Sequence, residues 1–288
     1  MHIFKFGGAS VKNADAVQNL KTILKKNHSG RLVVVISAMD KTTNKLELLV
    51  QLAQKGQPYA TELKELKHFH DSISTALIGK PSERYTTFLN ELSDNLAALK
   101  GVDWVHAYDR IVPYGELFST AIIADYLQQE LPVKWADARE MITTDEFHTE
   151  ANIRWEKTQK KVQTLLSPLL DQFIVVTQGF IGATIAGITT TLGREGSDFT
   201  GAILANCLEA ESFTVWKDVP GILNADPKRM SNTVQFSQLS YREATEMTYY
   251  GASVIHPKTL RPLAQKQIPL IVRSFVHHDA PGTRIGPM

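Results

Sequence analysis

Short apolar runs alternate with longer stretches of helical periodicity along the chain. His2–Phe6 predicts a strand, and the apolar run Leu32–Ser37, which has no polar alternation, predicts a strand buried on both faces. Between them, the spacing of the apolar residues predicts a helix over Asn13–His28. Further strands are predicted over Val133–Ala136, Phe173–Thr177, Thr189–Leu192, Phe213–Trp216 and Pro269–Arg273. Further helices are predicted within Thr43–Leu99, with breaks at Pro58 and Pro81, and over Glu116–Leu127, Asn152–Leu170, Ser197–Leu208, Tyr241–Tyr249 and Lys258–Lys266.

This alternation of strands and helices predicts an α/β fold, a three-layer αβα sandwich with a mainly parallel central sheet. The chain has 288 residues, which suits one large domain over residues 1–288. The glycine-dense segment Gly179–Gly196 is a candidate seam, so two lobes are predicted, approximately residues 1–178 and 179–288. The last residues, Gly282–Met288, are interpreted as a tail or a cut end.

Composition and charge argue against several classes of partner. Lys and Arg number 31 against 30 Asp and Glu, so the formal net charge of +1 gives no reason to expect nucleic acid or an anionic membrane. Cys207 is the single cysteine, which excludes an intrachain disulfide and a Cys/His zinc cluster. The sequence has no signal-peptide pattern and no apolar run long enough to span a membrane. We therefore expect a cytoplasmic protein.

Polar, glycine-containing segments fall at the predicted carboxyl ends of strands, where open α/β sheets bind their ligands. The glycines and lysine of Lys5–Ser10 suit a bound phosphate, although an ordinary turn with an exposed lysine fits equally well. The order of these residues matches neither a P-loop nor a dinucleotide-binding fingerprint. Thr189–Asp198 places Arg194 among glycines, before a helix that Ser197 or Asp198 is predicted to cap, and this arrangement favours an anion site.

Four other segments suit either binding or a purely structural role. Ser37–Asn44 follows the Val-rich strand, where its hydroxyl groups would bind substrate or cap a helix. Glu116 lies at a helix start, where a carboxylate often complements the helix dipole. Trp216–Lys228 has two carboxylates and two lysines in a turn-rich loop, and Gly251–Pro257 has the pattern of a helix that starts with proline.

Taken together and in this order, these six segments resemble the amino-acid kinase family, and most closely its aspartokinases. Lys5–Ser10 is similar to the family's Lys-Phe-Gly-Gly-Ser/Thr-Ser start, and Thr190–Asp198 to its Thr-Thr-Leu-Gly-Arg-Gly-Gly-Ser-Asp signature. Val219–Pro227 is similar to the family's nucleotide loop, and Gly251–Pro257 to its Gly-Ala-Lys-Val-Leu-His-Pro element. The resemblance covers essentially the whole chain.

The resemblance implies an ATP- and Mg²⁺-dependent enzyme that phosphorylates the β-carboxylate of L-aspartate, the first step of lysine, threonine and methionine biosynthesis. It also implies an amino-acid-binding first lobe, a nucleotide-binding second lobe and a possible homodimer. Lys5 and Asp198 are the implied catalytic residues, and no side chain is implied as a metal ligand. The implied aspartate-binding residues are Ser37, Thr43, Glu116, Arg194 and Ser197. The implied ATP-binding residues are Lys5, Gly7, Gly8, Ser10, Lys217, Asp218, Leu223, Lys228, Ser253 and Val254.

The ionic groups at these positions fit that reaction. A zwitterionic amino acid needs an anion for its ammonium group and a cation for its carboxylate, which Glu116 and Arg194 provide. The β-carboxylate, with an ordinary pKa of about 3.9, is ionised near neutral pH, so the attack needs no general base. Lys5, Lys217 and Mg²⁺ would neutralise the transferring phosphoryl group, and Asp198 would orient Lys5 through an ion pair.

Four positions depart from the family pattern. Glu195 replaces a common glycine and Ser253 a nucleotide-binding lysine, while Leu223 and Lys228 replace a frequent tyrosine and arginine, so an altered ATP affinity is expected.

Two alternatives stay open. One is a kinase of the same family that acts on glutamate, acetylglutamate, carbamate or UMP, and the other is a catalytically silent nucleotide-binding relative. The sequence stops soon after the catalytic unit, which we interpret as a natural short form without the paired regulatory ACT domains of many aspartokinases, or as a truncation.

Overall fold

The computed structural model of the protein describes residues 1–27, 30–225, 230, 232–249 and 255–287. Its strands are β1 (His2–Phe6), β2 (Leu32–Ile36), β3 (Val133–Ala136), β4 (Ile174–Gln178), β5 (Ile181–Ala183), β6 (Thr189–Thr191), β7 (Ser212–Lys217), β8 (Gln238–Leu239), β9 (Leu270–Ser274) and β10 (Thr283–Ile285). Its α-helices are α1 (Ala14–Asn27), α2 (Thr42–Gln54), α3 (Ala60–Ile78), α4 (Glu83–Ala97), α5 (Trp104–Ile111), α6 (Tyr114–Leu127), α7 (Ala138–Met141), α8 (Trp155–Leu170), α9 (Gly196–Cys207), α10 (Tyr241–Tyr249) and α11 (Pro257–Lys266). A 3-10 helix, Gly8–Val11, follows β1.

The central sheet has eight strands in the order β3–β4–β2–β1–β7–β9–β10–β8, and β5 pairs with β6 in a separate antiparallel ribbon. Neighbouring strands of the central sheet are parallel, except that β10 is antiparallel to β9. All residues of the Val-rich strand β2 are buried, as expected for a strand covered on both faces. The predicted α/β fold with a mainly parallel sheet is therefore confirmed.

Helices pack on the sheet in two groups. Helices α2, α3 and α4 pack on α6, and α8 and α11 pack on α9, while α6 and α9 both contact the central sheet. Helix α6 is buried along nearly its whole length, including its first turn, because its residues are apolar or small on every side. No helix in the described part of the chain is long and apolar enough to cross a membrane.

Most predicted elements are present, with ends that differ by a few residues. The long stretch predicted as helical over Thr43–Leu99 divides into α2, α3 and α4, and Pro58 and Pro81 lie in the two breaks as predicted. Proline breaks a helix there because it lacks the N–H that an interior residue donates. Helix α8 begins at Trp155 instead of Asn152.

The interpretation of Gly282–Met288 as a tail is wrong. Strand β10 lies within it and joins β9 to β8 at the edge of the central sheet. Thr283 anchors this strand, because its hydroxyl oxygen accepts the Ile222 N–H at 2.9 Å and the residue is fully buried. A strand of three residues between a glycine and a Gly-Pro pair is too short for its alternation to be recognised in the sequence.

The predicted cap of α9 is also wrong, and two α-helices have no counterpart among the predicted elements. Helix α9 begins at Gly196, after Glu195, and neither Ser197 nor Asp198 caps it. These helices are α5 and the short α7. Asp103 caps α5 by accepting the His106 N–H at 3.3 Å, which is a signal that the sequence does contain.

Candidate active site

Parallel strands bring two lysines to the same edge of the sheet. The register pairs Phe6 of β1 with Trp216 of β7, so Lys5 and Lys217 lie near the carboxyl ends of adjacent strands. Asp198, in the first turn of α9, lies between the two ammonium groups. Its Oδ1 is 2.7 Å from Lys5 Nζ, and its Oδ2 is 3.3 Å from Lys217 Nζ.

The Asp198 carboxylate is held ionised by these lysines. The side chain is buried, which disfavours the charged form, but the charges and hydrogen bonds of Lys5 and Lys217 outweigh burial and hold the pKa of Asp198 below its usual range. Asp198 therefore holds the ammonium groups of Lys5 and Lys217 side by side. Two fixed ammonium groups at the carboxyl edge of a parallel sheet form a site suited to a phosphate chain.

Glu116 supplies a buried carboxylate beside this edge. It lies in the first turn of α6, and its Oε1 accepts the Ala38 N–H at 3.1 Å, while its buried Oε2 has no hydrogen-bond partner in the described part of the chain. Helix α6 lies close to the loop that follows β2. A Cβ at Gly115 would lie 2.8 Å from the Ala38 Cβ. Burial raises the pKa of Glu116 to about 8, although the Ala38 N–H and the charge of Lys5 act in the opposite direction.

The opposite side of the site is formed by the turn between β6 and α9. Gly193 has a φ of 70°, a left-handed conformation that favours glycine, and Arg194 follows it with an exposed side chain. Arg194 makes no ion pair with any residue that the structure describes. Ser197 packs against Gly179, where a Cβ would lie 2.5 Å from the Ser197 Cβ. The guanidinium is thus available to an anion from outside the chain.

These groups line one cleft of about 560 Å³. The predicted site residues that the structure brings together in it are Lys5, Gly8, Ser37, Thr43, Glu116, Arg194, Ser197, Asp198 and Lys217.

Other predicted site residues do not line this cleft, namely Gly7, Ser10, Asp218 and Leu223. Ser10 is buried, and its hydroxyl donates to the Gly7 carbonyl at 2.7 Å, so it supports the turn after β1. Lys228, Ser253 and Val254 lie outside the described residues.

Sequence reasoning missed one wall of the cleft. This wall consists of Trp104, Val105 and Tyr108 from α5 and of Thr149 and Glu150 from the loop before α8. The capping residue Asp103 would have located α5. Nothing in the sequence near residues 149 and 150 signals a site, because this loop reaches the cleft through long-range pairing, such as the Ala151 N–H that donates to the Thr191 carbonyl at 3.0 Å.

The described side chains provide no cage for a metal ion. Among residues 1–27, 30–225, 230, 232–249 and 255–287 there is no group of three or more His, Cys, Asp or Glu side chains arranged to hold one. Both oxygens of Asp198 lie against lysines. The cleft is instead equipped to bind anions with Lys5, Lys217 and Arg194, and an ammonium group with Glu116.

Comparison with known proteins identifies similar sequences and folds. The sequence profile of the amino acid kinase family matches residues 1–274. Lysine-sensitive aspartokinase 3 of Escherichia coli (strain K12) is 33% identical over 292 residues, which cover 98% of this chain and 63% of that protein. Aspartokinase 1, chloroplastic, of Arabidopsis thaliana is 35% identical over 295 residues, covering 98% of this chain and 51% of that protein.

The solved structures agree with this result. The crystal structure of E. coli aspartokinase III in complex with aspartate and ADP matches with a TM-score of 0.91 and 32% identity, over 99% of this chain and 64% of that chain. An isopentenyl phosphate kinase structure, with a TM-score of 0.52 and 12% identity, shares the fold alone. The chain spans between 32% and 63% of the length of such curated relatives.

Proposed function

Because the chain belongs to the amino acid kinase family, we propose that it transfers the γ-phosphoryl group of ATP to the β-carboxylate of L-aspartate. The products are ADP and 4-phospho-L-aspartate. The observation that carries the proposal is the set of ionic groups in one cleft. A buried carboxylate with an unbonded oxygen, a guanidinium without an ionic partner in the described part of the chain, and two lysines on one aspartate match the charges of an amino acid and a triphosphate.

The aspartate would lie between Glu116 and Arg194. The unbonded Oε2 of Glu116 accepts hydrogen bonds from the substrate ammonium group, and Arg194 binds the α-carboxylate. Ser37, Thr43 and Ser197 line the same cleft and offer hydroxyl groups for the remaining oxygens. The E. coli aspartokinase III structure, which holds aspartate and ADP, supports this substrate.

In the chemical step, a β-carboxylate oxygen of aspartate forms a bond to the γ-phosphorus, and the bond from this phosphorus to the β,γ-bridging oxygen breaks. The electron pair of that bond leaves with ADP. The carboxylate attacks as an anion, so no proton has to be removed. Lys5 and Lys217, held in place by Asp198, stabilise the negative charge that the transferring group carries.

Mg²⁺ would enter as part of the MgATP substrate. Magnesium in kinases usually keeps several waters and binds substrate phosphates with only one or two carboxylates, so the lack of a protein cage among the described residues fits this mode. With both Asp198 oxygens against lysines, the phosphate oxygens are the principal ligands in this proposal.

The nucleotide would extend from Lys5 and Lys217 along the second predicted lobe, approximately residues 179–288. We assign the turn at Gly7 and Gly8 to the phosphates, because a Cβ at Gly7 would lie 3.4 Å from Lys5 Nζ and because Gly8 lines the cleft together with the two lysines. The remaining proposed ATP contacts are Asp218, Leu223, Lys228, Ser253 and Val254. We also propose that the chain divides into two lobes near residues 178 and 179 and that it forms a homodimer.

A coupled assay of ADP release tests the substrate. We expect turnover with MgATP and L-aspartate and at most background rates with glutamate, acetylglutamate, carbamate or UMP. Turnover with one of those four and none with aspartate would move the chain to another branch of the family. No turnover with any of them, together with ATP binding in a direct titration, would indicate a nucleotide-binding protein without catalysis.

A further inference from the structure

A buried carboxylate outside the cleft joins the two segments of the wall that sequence reasoning missed to strand β6, which precedes the turn that carries Arg194. Asp109, on α5, is 1% exposed. Its Oδ2 accepts from His148 Nδ1 at 2.8 Å and from the Thr149 N–H at 3.0 Å, and its Oδ1 accepts from the Thr191 hydroxyl at 2.6 Å. Asp109 does not line the cleft, so it does not touch the reacting groups.

Each of these contacts leads to a segment that lines the cleft. Helix α5 carries Trp104 and Tyr108, and Thr149 is itself a lining residue next to Glu150. Thr191 ends β6, immediately before the turn that carries Arg194. One carboxylate therefore ties the wall of the cleft to the arginine turn.

The tethered loop has a conformation that needs outside support. Thr149 has a φ of 68°, which a β-branched residue rarely adopts, and such a residue costs about 1–3 kcal/mol unless its surroundings hold it. The loop also packs closely on the arginine turn, where a Cβ at Gly193 would lie 2.9 Å from the Glu150 Cγ. The hydrogen bond from the Thr149 N–H to Asp109 fixes the loop in this strained state.

We propose that Asp109 is a positioning residue for the amino-acid substrate, an inference that rests on the proposed function. It acts by holding α5, residues 148–150 and the turn before α9 at fixed separations, so that Arg194 and the wall meet the bound amino acid in one geometry. The lysine pair lies on β1 and β7, whereas the contacts of Asp109 join α5, residues 148 and 149, and β6. The effect should therefore fall on aspartate binding more than on ATP binding.

Two substitutions at Asp109 distinguish the effect of its hydrogen bonds from the effect of its negative charge. Asp109→Ala removes all three acceptors. We expect the KM for L-aspartate to rise on the order of 10- to 100-fold, with the KM for ATP within about threefold of wild type, because small displacements of substrate-positioning groups have effects of this size. Asp109→Asn keeps the shape. Its carbonyl oxygen accepts from His148 and Thr149 while its amide donates to Thr191, so near-normal kinetics are expected.

Two further variants serve as controls. Thr191→Val removes one donor and keeps the side-chain shape, so it should raise the aspartate KM a few-fold, and it should add nothing in the Asp109→Ala background because the contact is already lost. Asp125→Ala deletes another half-buried carboxylate, one bonded to Ser82 at 2.6 Å and Arg84 at 3.1 Å, away from the cleft. This control should lower stability and leave both KM values unchanged.

Amide hydrogen exchange at Thr149 in the unliganded protein provides a readout that does not depend on the reaction. Exchange should be faster in Asp109→Ala than in wild type and unchanged in Asp109→Asn. If aspartate is not phosphorylated by the wild-type protein, the proposed function fails, whereas the exchange experiment still decides whether the tether exists.

Several results would overturn the proposal. An Asp109→Ala protein that folds and keeps its aspartate KM would do so, as would equal rises in both KM values. If Asp109→Ala does not fold, the proposal is overturned by a Thr191→Val protein in which the aspartate KM and the exchange at Thr149 are both unchanged.

Discussion

The buried carboxylate of Glu116 should make the unliganded protein less stable as the pH rises through neutrality. Its pKa is raised from 4.5 to about 8 by burial, so the folded protein binds this proton more tightly than the unfolded chain does. Stability should therefore fall as the pH rises from the unfolded pKa towards the folded one, and level off above it. Glu116→Gln, which keeps the shape and cannot ionise, should remove this dependence.

The size of the effect follows from the shift. Each pKa unit corresponds to about 1.4 kcal/mol, and integrating the linkage relation between about pH 6 and about pH 8 gives a loss of about 2 kcal/mol for this group alone. The difference in the free energy of unfolding between Glu116→Gln and wild type should therefore change by about 2 kcal/mol, in favour of Glu116→Gln, as the pH rises across this interval.

Urea denaturation of the two proteins at several pH values measures the difference directly. Glu83→Gln is a matched control. Glu83 is exposed and paired with Lys80, which lowers its pKa, so the substitution should leave the pH dependence of wild type unchanged between about pH 6 and about pH 8. Parallel stability curves for wild type and Glu116→Gln over this interval would refute the reasoning.

The same ionisation should couple to substrate binding. An ammonium group on the unbonded Oε2 of Glu116 favours the carboxylate, so aspartate binding near neutral pH should release about one proton from this residue. Calorimetry in buffers of different ionisation enthalpy would detect the proton, and Glu116→Gln should release none. Equal proton release from both proteins would remove Glu116 from the ammonium site.

Three further predictions concern the rest of the cleft. Lys5→Ala should lower kcat by about 100-fold or more and change the aspartate KM little, because it removes a cation at the phosphoryl group; steady-state kinetics within a few-fold of wild type would exclude this role. Arg194→Ala should raise the aspartate KM by about 10-fold or more with a smaller change in kcat, and an unchanged KM would place the α-carboxylate elsewhere. Glu195→Gly should stabilise the protein by about 1 kcal/mol in urea denaturation, because Glu195 has a φ of 53° and only glycine adopts this conformation without strain; an equal or lower midpoint would contradict this.

Sequence analysis predicted correctly those parts of the fold that depend on the local pattern of residues. The buried run of β2 and the proline breaks around α3 were predicted because each depends on the residues of that segment. The resemblance to the amino-acid kinase family placed Lys5, Arg194 and Asp198 in one site, and the glycine-containing segments that carry them lie at strand ends, which meet at one edge of a parallel sheet.

The parts that sequence reasoning missed depend on contacts between distant residues. The loop that carries Thr149 is hydrogen-bonded to Asp109 and Thr191, and Thr283 is hydrogen-bonded to Ile222 and Phe236. The capping role predicted for Asp198 failed for a similar reason, because two lysines from other strands compete for its carboxylate. Such pairings have no local signature.

The most direct test of the proposed reaction is chemical trapping of its product. The protein is incubated with MgATP, L-aspartate and hydroxylamine, which converts an acyl phosphate into a hydroxamate, and the product is identified by mass spectrometry. We expect β-aspartyl hydroxamate in an amount equal to the ADP formed, and about 100-fold less or lower with Lys5→Ala over the same interval. ADP formation that depends on aspartate but yields no hydroxamate would contradict phosphorylation of the carboxylate.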